Sequence, residues 1–435
     1  MGEKRHRRLW ANIPRGSKNH GVVNGGAVAK VAMVLTLVIV FCGVSVENVT
    51  ANEGYSSWFG HRVTVMTQNV YVGADIFRVV EAGSSPNPLA IPITVANVLR
   101  TLADTNFAER AAALAAEIDH LRPDLIGLQE VSLIRTQSPG DFLVGNPTPA
   151  QDELFDYLKI LLDALAARGL DYEVAALVQD ADVELPMLVG IDSTGPLFDD
   201  VRLTDFDVIL ARGDVEISNH MSRNYDENAV IPIGALSIEF TRGLVAVDAT
   251  VRGRTYRFVN THLELADMVT AGGELAQPLQ AQQLIEELTD ETLPVILVGD
   301  FNSSPEYDDP SAYAMISETD FVDVWQRRIF EGGDLGYTCC QDEDLRNEYS
   351  NLYERIDHIF VRNLHEELPC SIVGPVFAFT LGDEPRDKTI SGMWPSDHAG
   401  VVARLYLPDL QEWNWGFSSL MKKAGPLENA PGRHH

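Results

Sequence analysis

The sequence predicts a mixed α/β domain in which two β-sheets pack face to face and helices cover their outer surfaces. Three observations predict this class. Predicted strands outnumber predicted helices, hairpins alternate with helical crossovers, and most strands are apolar along their whole length. A strand that is apolar on both faces is typical of a sheet buried between two layers, so each sheet needs cover on both sides.

The first half of the domain predicts strands that alternate with helices. Residues 62–70 (RVTVMTQNV) alternate and are rich in valine and threonine, which predicts a strand. Residues 95–121 are rich in alanine and carry apolar side chains at helical spacing, which predicts helix. Residues 123–131 form a short apolar run typical of a buried strand, and residues 151–168 predict an amphipathic helix.

The middle of the chain contains less periodic sequence. Residues 169–234 are expected to be irregular, with strand-like stretches only at 172–178 and 206–212. Residues 243–264 predict a β-hairpin that turns at Arg252-Gly253. The remaining predicted elements are a helix near 276–289 and strands at 295–300, 354–362 and 398–407.

The first fifty residues differ in charge from the rest of the chain. They carry seven basic and two acidic side chains, whereas the whole chain has a net charge of −30, so residues 51–435 carry −35. An uncharged run of sixteen residues follows Lys30. This run is shorter than the ~20 residues of a membrane span, and it suits the apolar core of a secretory signal with a cleavage point near Val49–Ala51.

These features predict three segments. Residues 1–51 are expected to be a signal peptide or an N-terminal anchor, residues 61–408 a single catalytic domain, and residues 409–435 a C-terminal tail. The domain is expected to be secreted or extracytoplasmic, with membrane anchoring by the N-terminal segment as the alternative.

Three cysteines fall within the predicted domain or close to its end: Cys339, Cys340 and Cys370. In an oxidising compartment they allow one disulfide and one free thiol, and the sequence leaves the pairing open. A zinc site is not expected, because no second Cys or His pair stands at ligand spacing.

Polar side chains recur where the apolar strands end. Each could begin a turn, since Asn and Asp favour turns. Asp357 is different, because a carboxylate within the apolar RIDHIF stretch needs a partner, and a histidine would serve. Carboxylates, amides and histidines without cysteine suit a hard cation such as Mg²⁺, or Mn²⁺, and metal-assisted attack of water on a phosphate ester. The candidate residues are Asn69, Glu130, Asn260, His262, Asp300, Asn302, Asp357, Asp397 and His398.

Six segments across residues 61–408 resemble the endonuclease/exonuclease/phosphatase superfamily and occur in its order. They are MTQNV, GLQEV, NTHLE, VGDFNSSP, RIDHIFV and PSDHAGV. TQNVYVGADI together with GYTCCQDEDL is similar to a secreted bacterial branch of that superfamily. The resemblance implies a DNase I-like four-layer α/β sandwich, in agreement with the two packed sheets predicted above.

The resemblance also implies a metal-binding group. Glu130 would bind the divalent metal, Mg²⁺ or Mn²⁺. Asn69 and Asp397 would lie close by, as ligands or as groups that orient the ligands.

A second group of residues would take part directly in hydrolysis of the phosphate ester. By resemblance, Asp300 and Asn302 would contact the scissile phosphate and the attacking water, and Asp300 would position or deprotonate that water. His398, oriented by Asp357, would bind the phosphate or act in acid–base catalysis. His262 would stabilise the transition state or help the leaving group depart.

The spacing within VILVGDFNSSP (295–305) predicts a local geometry. Side chains alternate along a strand, so Asp300 and Asn302 are expected to reach one ligand while Phe301 enters the core. Gly299 is expected to allow close backbone approach at the phosphate site.

The leading functional hypothesis is a secreted metal-dependent phosphodiesterase. Its substrate could be nucleic acid, a lipid headgroup or a small molecule, and the alternatives are a phosphomonoesterase or a sphingomyelinase-like lipid phosphodiesterase. A non-catalytic surface-binding protein is less favoured, because Glu130, Asp300, Asn302 and His398 are all present. No stable protein partner is implied, and a monomer is expected.

Net negative charge opposes binding to polyanions unless a local basic path lies beside the site. The arginines that could form one are expected to be scattered and solvated. They are Arg212, Arg223, Arg242, Arg252, Arg254, Arg257, Arg327 and Arg328.

Overall fold

Most of the predicted catalytic domain is described by a computed structural model. It covers residues 61–234, 236–307, 309–329, 334–364, 373, 374 and 376–407. The expected signal or anchor segment at 1–51 and the expected tail at 409–435 lie outside the described residues. No helix among the described residues is long and apolar enough to cross a membrane.

The described residues form strands and helices that alternate along the chain. The strands are β1 His61–Asn69, β2 Leu125–Gln129, β3 Leu133–Gln137, β4 Asp152–Asp156, β5 Tyr172–Asp192, β6 Gly195–Arg212, β7 Glu216–Asn224, β8 Ala229–Ile233, β9 Leu236–Phe240, β10 Gly243–Val251, β11 Arg254–His262, β12 Val295–Asp300, β13 Val322–Asp323, β14 Asp357–Arg362, β15 Val376–Leu381 and β16 Gly400–Leu407. The helices are α1 Phe77–Ala82, α2 Ala90–Asp104, α3 Phe107–Leu121, α4 Tyr157–Ala167, α5 Ala276–Leu288 and α6 Ala312–Ser317.

Two large sheets organise these strands. The first has eight strands in the order β15-β16-β1-β2-β6-β3-β4, with β5 paired to β6, and the second has six in the order β13-β14-β12-β11-β10-β7. Strands β8 and β9 form a separate pair. Each large sheet contains one parallel pair, β1 with β2 and β11 with β12, among antiparallel neighbours.

The sheets pack face to face and helices cover both outer faces. Along β12, Ile296 and Val298 enter the core between the sheets, while Val295 and Leu297 face α5 and α6. On the other side, α3 and α4 pack on the outer face of the first sheet. The predicted four-layer α/β sandwich is confirmed, and burial on both faces explains why these strands are apolar throughout.

Two helical predictions needed correction. The segment 95–121 is not one helix, because α2 ends at Asp104 and α3 begins at Phe107 after Asn106, whose φ of 41° lies in the left-handed region. The segment 151–168 begins as strand β4, and α4 follows only after Asp156. The Asp156 side chain accepts a hydrogen bond from the Lys159 backbone N–H at 2.9 Å and thereby caps the helix.

The prediction of an irregular segment at 169–234 was wrong. The segment contains the long hairpin of β5 and β6 and then β7 and β8. Register shifts interrupt the β5–β6 ladder between Val174 and Ala176, between Gln179 and Asp182, and between Leu188 and Gly190. Each shift changes the face that the following side chains occupy, so the period-two pattern that would reveal the strand is lost.

Candidate active site

The candidate site lies where the two parallel strand pairs end. Asn69 at the end of β1 is in register with Gln129 at the end of β2, and His262 at the end of β11 is in register with Asp300 at the end of β12. Carboxyl ends of parallel strands meet at one edge of a sheet. The two packed sheets therefore bring both edges, and their polar side chains, to the same place.

Glu130 follows β2 and is held in position by two donors. Asn69 Nδ2 donates to Glu130 Oε1 at 3.0 Å, and the Val72 backbone N–H donates to Oε2 at 2.8 Å. Glu130 has a φ of 58°, in the left-handed region that costs a non-glycine residue about 1–2 kcal/mol. Non-glycine residues held in such an unfavourable backbone conformation cluster at functional sites.

Asn69 links the two sheets. Its Nδ2 also donates to Asp300 Oδ2 at 3.0 Å, so one amide group holds a carboxylate from each sheet. Its Oδ1 accepts from the Tyr71 backbone N–H at 2.9 Å. These contacts favour an orienting role for Asn69, which is one of the two roles that the resemblance implied.

Asp357 and His398 form a buried pair. His398 Nδ1 lies 2.9 Å from Asp357 Oδ2, and both residues are largely shielded from solvent. Burial opposes charge on the imidazole, but the carboxylates of Asp357, Asp397 and Asp300 together raise the pKa of His398 well above its usual value. These carboxylates therefore favour the charged imidazolium form of His398.

His262 stands in the opposite electrostatic environment. Its Nε2 lies 3.1 Å from Asn302 Nδ2 and 3.5 Å from Asp300 Oδ2, and its Nδ1 lies 3.0 Å from Arg242 Nη1. Burial, then the positive charges of Arg242 and His398, lowers the pKa of His262 well below its usual value. The surroundings therefore favour the neutral form of His262 and the charged form of His398.

The acidic side chains of the site crowd one another. Burial, reinforced by Asp357, raises the pKa of Asp300 to about 7. Burial also raises the pKa of Asp397 to about 7, with His398 opposing the shift and Glu130 adding to it. Closely spaced oxygen ligands with raised pKa values fit a divalent cation, because a cation compensates the repulsion between them.

The structure changes the explanation for the spacing of Asp300 and Asn302. Phe301 is fully buried in the core, as expected. However, β12 ends at Asp300, and Asn302 follows in a turn with a φ of 47°. Its side chain is aimed by a turn in which its N–H donates to Asp300 Oδ1 at 2.9 Å and its Nδ2 to the Leu263 carbonyl at 2.8 Å. The alternation of side chains along a strand therefore does not explain where the Asn302 side chain points.

Gly299 also has a different role from the one expected. A Cβ at this position would collide with the carbonyl oxygen of Thr261 on the neighbouring strand. The absence of a side chain therefore permits close packing of β12 on β11. The need for glycine comes from the sheet and not from a ligand.

Asn260 lies beneath the site. It is fully buried, and its Nδ2 donates to the carbonyls of Leu128 at 2.9 Å and Val208 at 3.2 Å. Its Oδ1 accepts from Gln129 Nε2 at 2.6 Å. Asn260 belongs to the second sheet and all three partners belong to the first, so this side chain joins the sheets directly under the site.

Arg242, which was expected to be scattered and solvated like the other arginines, lies at the site beside His262. The side chain is mostly buried, with an exposed fraction of 12%. A signal was available, because the turn at Arg252-Gly253 sets the hairpin register and pairs Gly243 with His262. Counting back from that turn places Arg242 beside His262.

The cysteine pairing that the sequence left open joins neighbours. Cys339 and Cys340 form a disulfide, and Cys370 lies outside the described residues. Both sulfur atoms and one ring nitrogen of His398 lie within 4.8 Å of one another. The backbone on either side is hydrogen-bonded to the strand entry that carries His398, through the Thr338 carbonyl and the Gln341 N–H.

Comparison with known proteins supports the motif assignment. Residues 268–398 match the model of the Endonuclease/Exonuclease/phosphatase family. This region includes Asp300, Asn302, Asp357 and His398, which stand together in the structure. No curated protein matches the chain.

The solved structures to which this chain is similar are distant in sequence. Truncated TDP2 of Caenorhabditis elegans is 15% identical, with 79% of this chain and 97% of that chain covered and a TM-score of 0.42. A family protein of Leptotrichia buccalis is 16% identical, with 79% and 99% covered and a TM-score of 0.44. The mannosyl-6-phosphatase of Bacteroides thetaiotaomicron is 18% identical, with 79% and 99% covered and a TM-score of 0.43.

The match over residues 268–398 and the six motifs, which the fold places around one site, make this chain similar to the endonuclease/exonuclease/phosphatase family.

Proposed function

We propose that this protein is a divalent-metal-dependent phosphodiesterase. One observation carries the proposal, namely that the other groups of the site converge on a single oxygen of Asp300. Asp300 Oδ2 lies 3.0 Å from Asn69 Nδ2, 3.5 Å from His262 Nε2 and 3.9 Å from His398 Nε2. Carboxylate, neutral imidazole, imidazolium and amide thus surround the position that an attacking water and a phosphate oxygen would occupy.

Glu130 would hold Mg²⁺ or Mn²⁺, with Asp397 beside it and Asn69 fixing the carboxylate. The bound cation would compensate the crowded carboxylates and polarise a phosphate oxygen. The metal dependence is supported by the donor set and by the raised pKa values of Asp300 and Asp397, both about 7.

The remaining residues perform the proton and charge chemistry. Asp300, with a pKa of about 7, orients the attacking water and accepts its proton near neutral pH. His262 and Asn302 donate hydrogen bonds to a non-bridging phosphate oxygen. The His398 imidazolium, held by Asp357, stabilises the charge that develops on the phosphorane and on the leaving oxygen.

The charge balance favours a diester over a monoester. The arginines beside the site are already engaged: Arg110 donates to four backbone carbonyls, including Val70 and Tyr71, and Arg242 contacts His262 and Glu264. A dianionic monoester would require more uncommitted positive charge than a monoanionic diester. The phosphomonoesterase alternative is therefore less favoured.

A substrate panel tests the proposal. Plasmid DNA, RNA, sphingomyelin, bis-p-nitrophenyl phosphate and inositol phosphates are each incubated with Mg²⁺ or with EDTA. We expect hydrolysis of at least one diester that stops with EDTA and returns with Mg²⁺ or Mn²⁺, and loss of that hydrolysis in Asp300→Asn with its melting temperature nearly unchanged. Turnover that persists in EDTA, or in Asp300→Asn, would refute the mechanism.

We further propose that the protein is exported and acts as a monomer, as its sequence predicts. Expression of the full chain in a bacterial host, followed by N-terminal sequencing of the periplasmic or secreted product, tests the export step. A mature N-terminus near Ala51 is expected for a cleaved signal. Recovery only from the membrane fraction, with residues 1–51 retained, would indicate the anchor instead.

A further inference from the structure

Arg242 contacts His262 in a way that restricts where the imidazole proton can lie. Arg242 Nη1 is 3.0 Å from His262 Nδ1. A guanidinium group has only hydrogen-bond donors, so His262 Nδ1 must be the acceptor and cannot carry a proton. The single proton of the neutral ring is therefore on Nε2.

The Nε2–H group then stands beside a second donor. Asn302 Nδ2 is 3.1 Å away, and it is already oriented as a donor by the Leu263 carbonyl at 2.8 Å. Two N–H groups that lie side by side cannot bond to each other, and both can bond to one anionic oxygen. Asp300 Oδ2, which can accept a hydrogen bond, lies 3.5 Å from His262 Nε2.

The surroundings of Arg242 keep its guanidinium charged and in place. Its Nε lies 3.5 Å from Glu264 Oε2, and the carboxyl groups of Asp180, Asp205 and Asp207 also act on it. Burial opposes the charge, but these groups together raise the pKa of Arg242 above its already high usual value. No state of Arg242 near neutral pH can accept a hydrogen bond from His262.

We propose that Arg242 is a positioning residue that fixes the Nε2–H tautomer of His262, so that His262 and Asn302 form a paired donor for one non-bridging phosphate oxygen. This inference rests on the proposed phosphodiesterase function and assigns His262 a specific role within it. His262 stabilises charge as a neutral donor and does not protonate the leaving group. His398 and Asp300 are the groups that carry mobile protons.

The first test observes the tautomer directly, without relying on activity. The full chain is labelled with ¹⁵N-histidine, and ring proton–nitrogen correlations are recorded at neutral pH. The His262 signals are identified by their loss in His262→Gln. We expect a protonated Nε2 and an unprotonated Nδ1, whereas a protonated Nδ1 or an imidazolium would overturn the proposal.

The second test separates positioning from folding. Arg242→Met removes the donor, Arg242→Lys keeps a donor-only cation, and Arg257→Met is the matched control. Arg257 is also buried in the second sheet and paired with carboxylates, Asp248 at 2.9 Å and Glu291 at 3.7 Å, but it lies away from the site.

Arg242→Met should lower kcat by about 10²- to 10³-fold, the loss that follows removal of one oxyanion donor, with little change in KM. It should also move the His262 proton to Nδ1, because Asn302 Nδ2, 3.1 Å away, can then donate to Nε2, while Arg242→Lys keeps the Nε2–H form and recovers much of kcat. Arg257→Met should change neither kcat nor the His262 tautomer. A kcat near the wild-type value in Arg242→Met would overturn the proposal, and if that variant fails to fold, the wild-type tautomer decides.

The two proposals fail in different ways. If the wild-type protein hydrolyses no phosphodiester, the proposed function fails whatever the tautomer. If hydrolysis is observed but His262 carries its proton on Nδ1, only the role of Arg242 fails.

Discussion

At the scale of single residues, the site uses two histidines whose neighbours give them opposite properties. The same ring nitrogen, Nδ1, faces a carboxylate in His398 and a guanidinium in His262. A carboxylate only accepts and a guanidinium only donates, so Nδ1 carries a proton in His398 and lacks one in His262. Both residues are histidines, so the residue type does not set the protonation of each ring. The partner of Nδ1 sets it.

Substitution of Asp357 tests the charged histidine. Asp357→Asn removes the negative charge beside His398 Nδ1, and we expect kcat to fall by about 10²- to 10⁴-fold, the range for loss of acid–base function. Steady-state kinetics on the best diester substrate measure this loss. The control is Asp323→Asn, which alters another buried carboxylate of the same sheet, paired with Arg355 at 2.8 Å. Equal effects on kcat in the two variants would contradict a specific role for Asp357.

Asn302 offers a way to separate backbone conformation from side-chain chemistry. Its φ of 47° suits glycine and is unfavourable for alanine by about 1–2 kcal/mol. We expect Asn302→Gly and Asn302→Ala to lose activity equally, because both lack the amide donor. Urea denaturation should show the glycine variant to be the more stable. Retention of activity in the glycine variant would mean that only the turn, and not the amide, is required.

At the scale of secondary-structure elements, the site depends on contacts that join strand ends across the two sheets. Asn260 in β11 bonds to the end of β2 and to Val208 within β6, and Asn69 in β1 bonds to the end of β12. Both side chains are completely buried. A buried polar group is stabilising only when it is paired, so each of these amides specifies how one sheet is placed on the other.

Removal of the Asn260 amide should therefore destabilise the whole domain. Asn260→Ala leaves two carbonyls and the Gln129 amide without their partner, and we expect a loss of at least about 2 kcal/mol in the free energy of unfolding. Asn224→Ala, which removes one hydrogen bond from an exposed asparagine of β7, is the matched control and should cost less than about 1 kcal/mol. Chemical denaturation of both variants measures the difference, and similar losses would contradict the proposed bridging role.

Helix α3 carries a carboxylate that should make stability depend on pH. Burial, with Asp387 and Asp383 nearby, raises the pKa of Glu117 well above its usual value, and neither of its oxygens has a hydrogen-bond partner among the described residues. A raised folded-state pKa means that the folded protein binds more protons than the unfolded chain. This contribution to stability is complete below the unfolded pKa and is lost as pH rises through the folded pKa.

Glu117→Gln should remove this loss of stability at higher pH. The variant should melt at a higher temperature than the wild type at pH 7.5, and the difference should shrink as the pH falls towards 4.5, the ordinary glutamate value. Thermal melts across this range measure the effect, with the exposed Glu173→Gln as the control for net charge. A pH-independent difference would show that the Glu117 carboxylate is not the cause.

At the scale of the whole molecule, the site is a junction between the two halves of the sandwich. The first sheet supplies Asn69 and Glu130, while Asp300 and Asp357 come from the second sheet. Carboxylates from both halves therefore stand together in a chain whose net charge is −30. A cation bound between them would stabilise the packed state, because only the folded chain brings these oxygens together.

Mg²⁺ should accordingly raise the melting temperature. We expect an increase of a few degrees over EDTA at constant ionic strength, since binding at about 100 times Kd adds about 2.7 kcal/mol. Glu130→Gln should abolish most of this increase. Calorimetry with NaCl as the ionic-strength control separates binding from screening, and an equal shift in Glu130→Gln would locate the cation elsewhere.

The sequence was most informative where structure follows from local pattern. Strands apolar on both faces implied two covered sheets, and the Arg252-Gly253 turn set the register of the β10–β11 hairpin. Prediction failed at 169–234, where three register shifts interrupt the alternation of β5 and β6. It also failed at Asn302, where a left-handed turn and not the strand aims the side chain.

By itself, the sequence determined the resemblance to a superfamily, the layered architecture and the residue types present at the candidate site, because these depend on short segments and their order. The tertiary structure alone decided which side chains meet. Asn69 and Asp300 are 231 residues apart in the chain, yet their side chains lie 3.0 Å apart at the junction of the sheets. Charge, tautomer and pKa depend on such neighbours, and packing of the two sheets is what brings them within range.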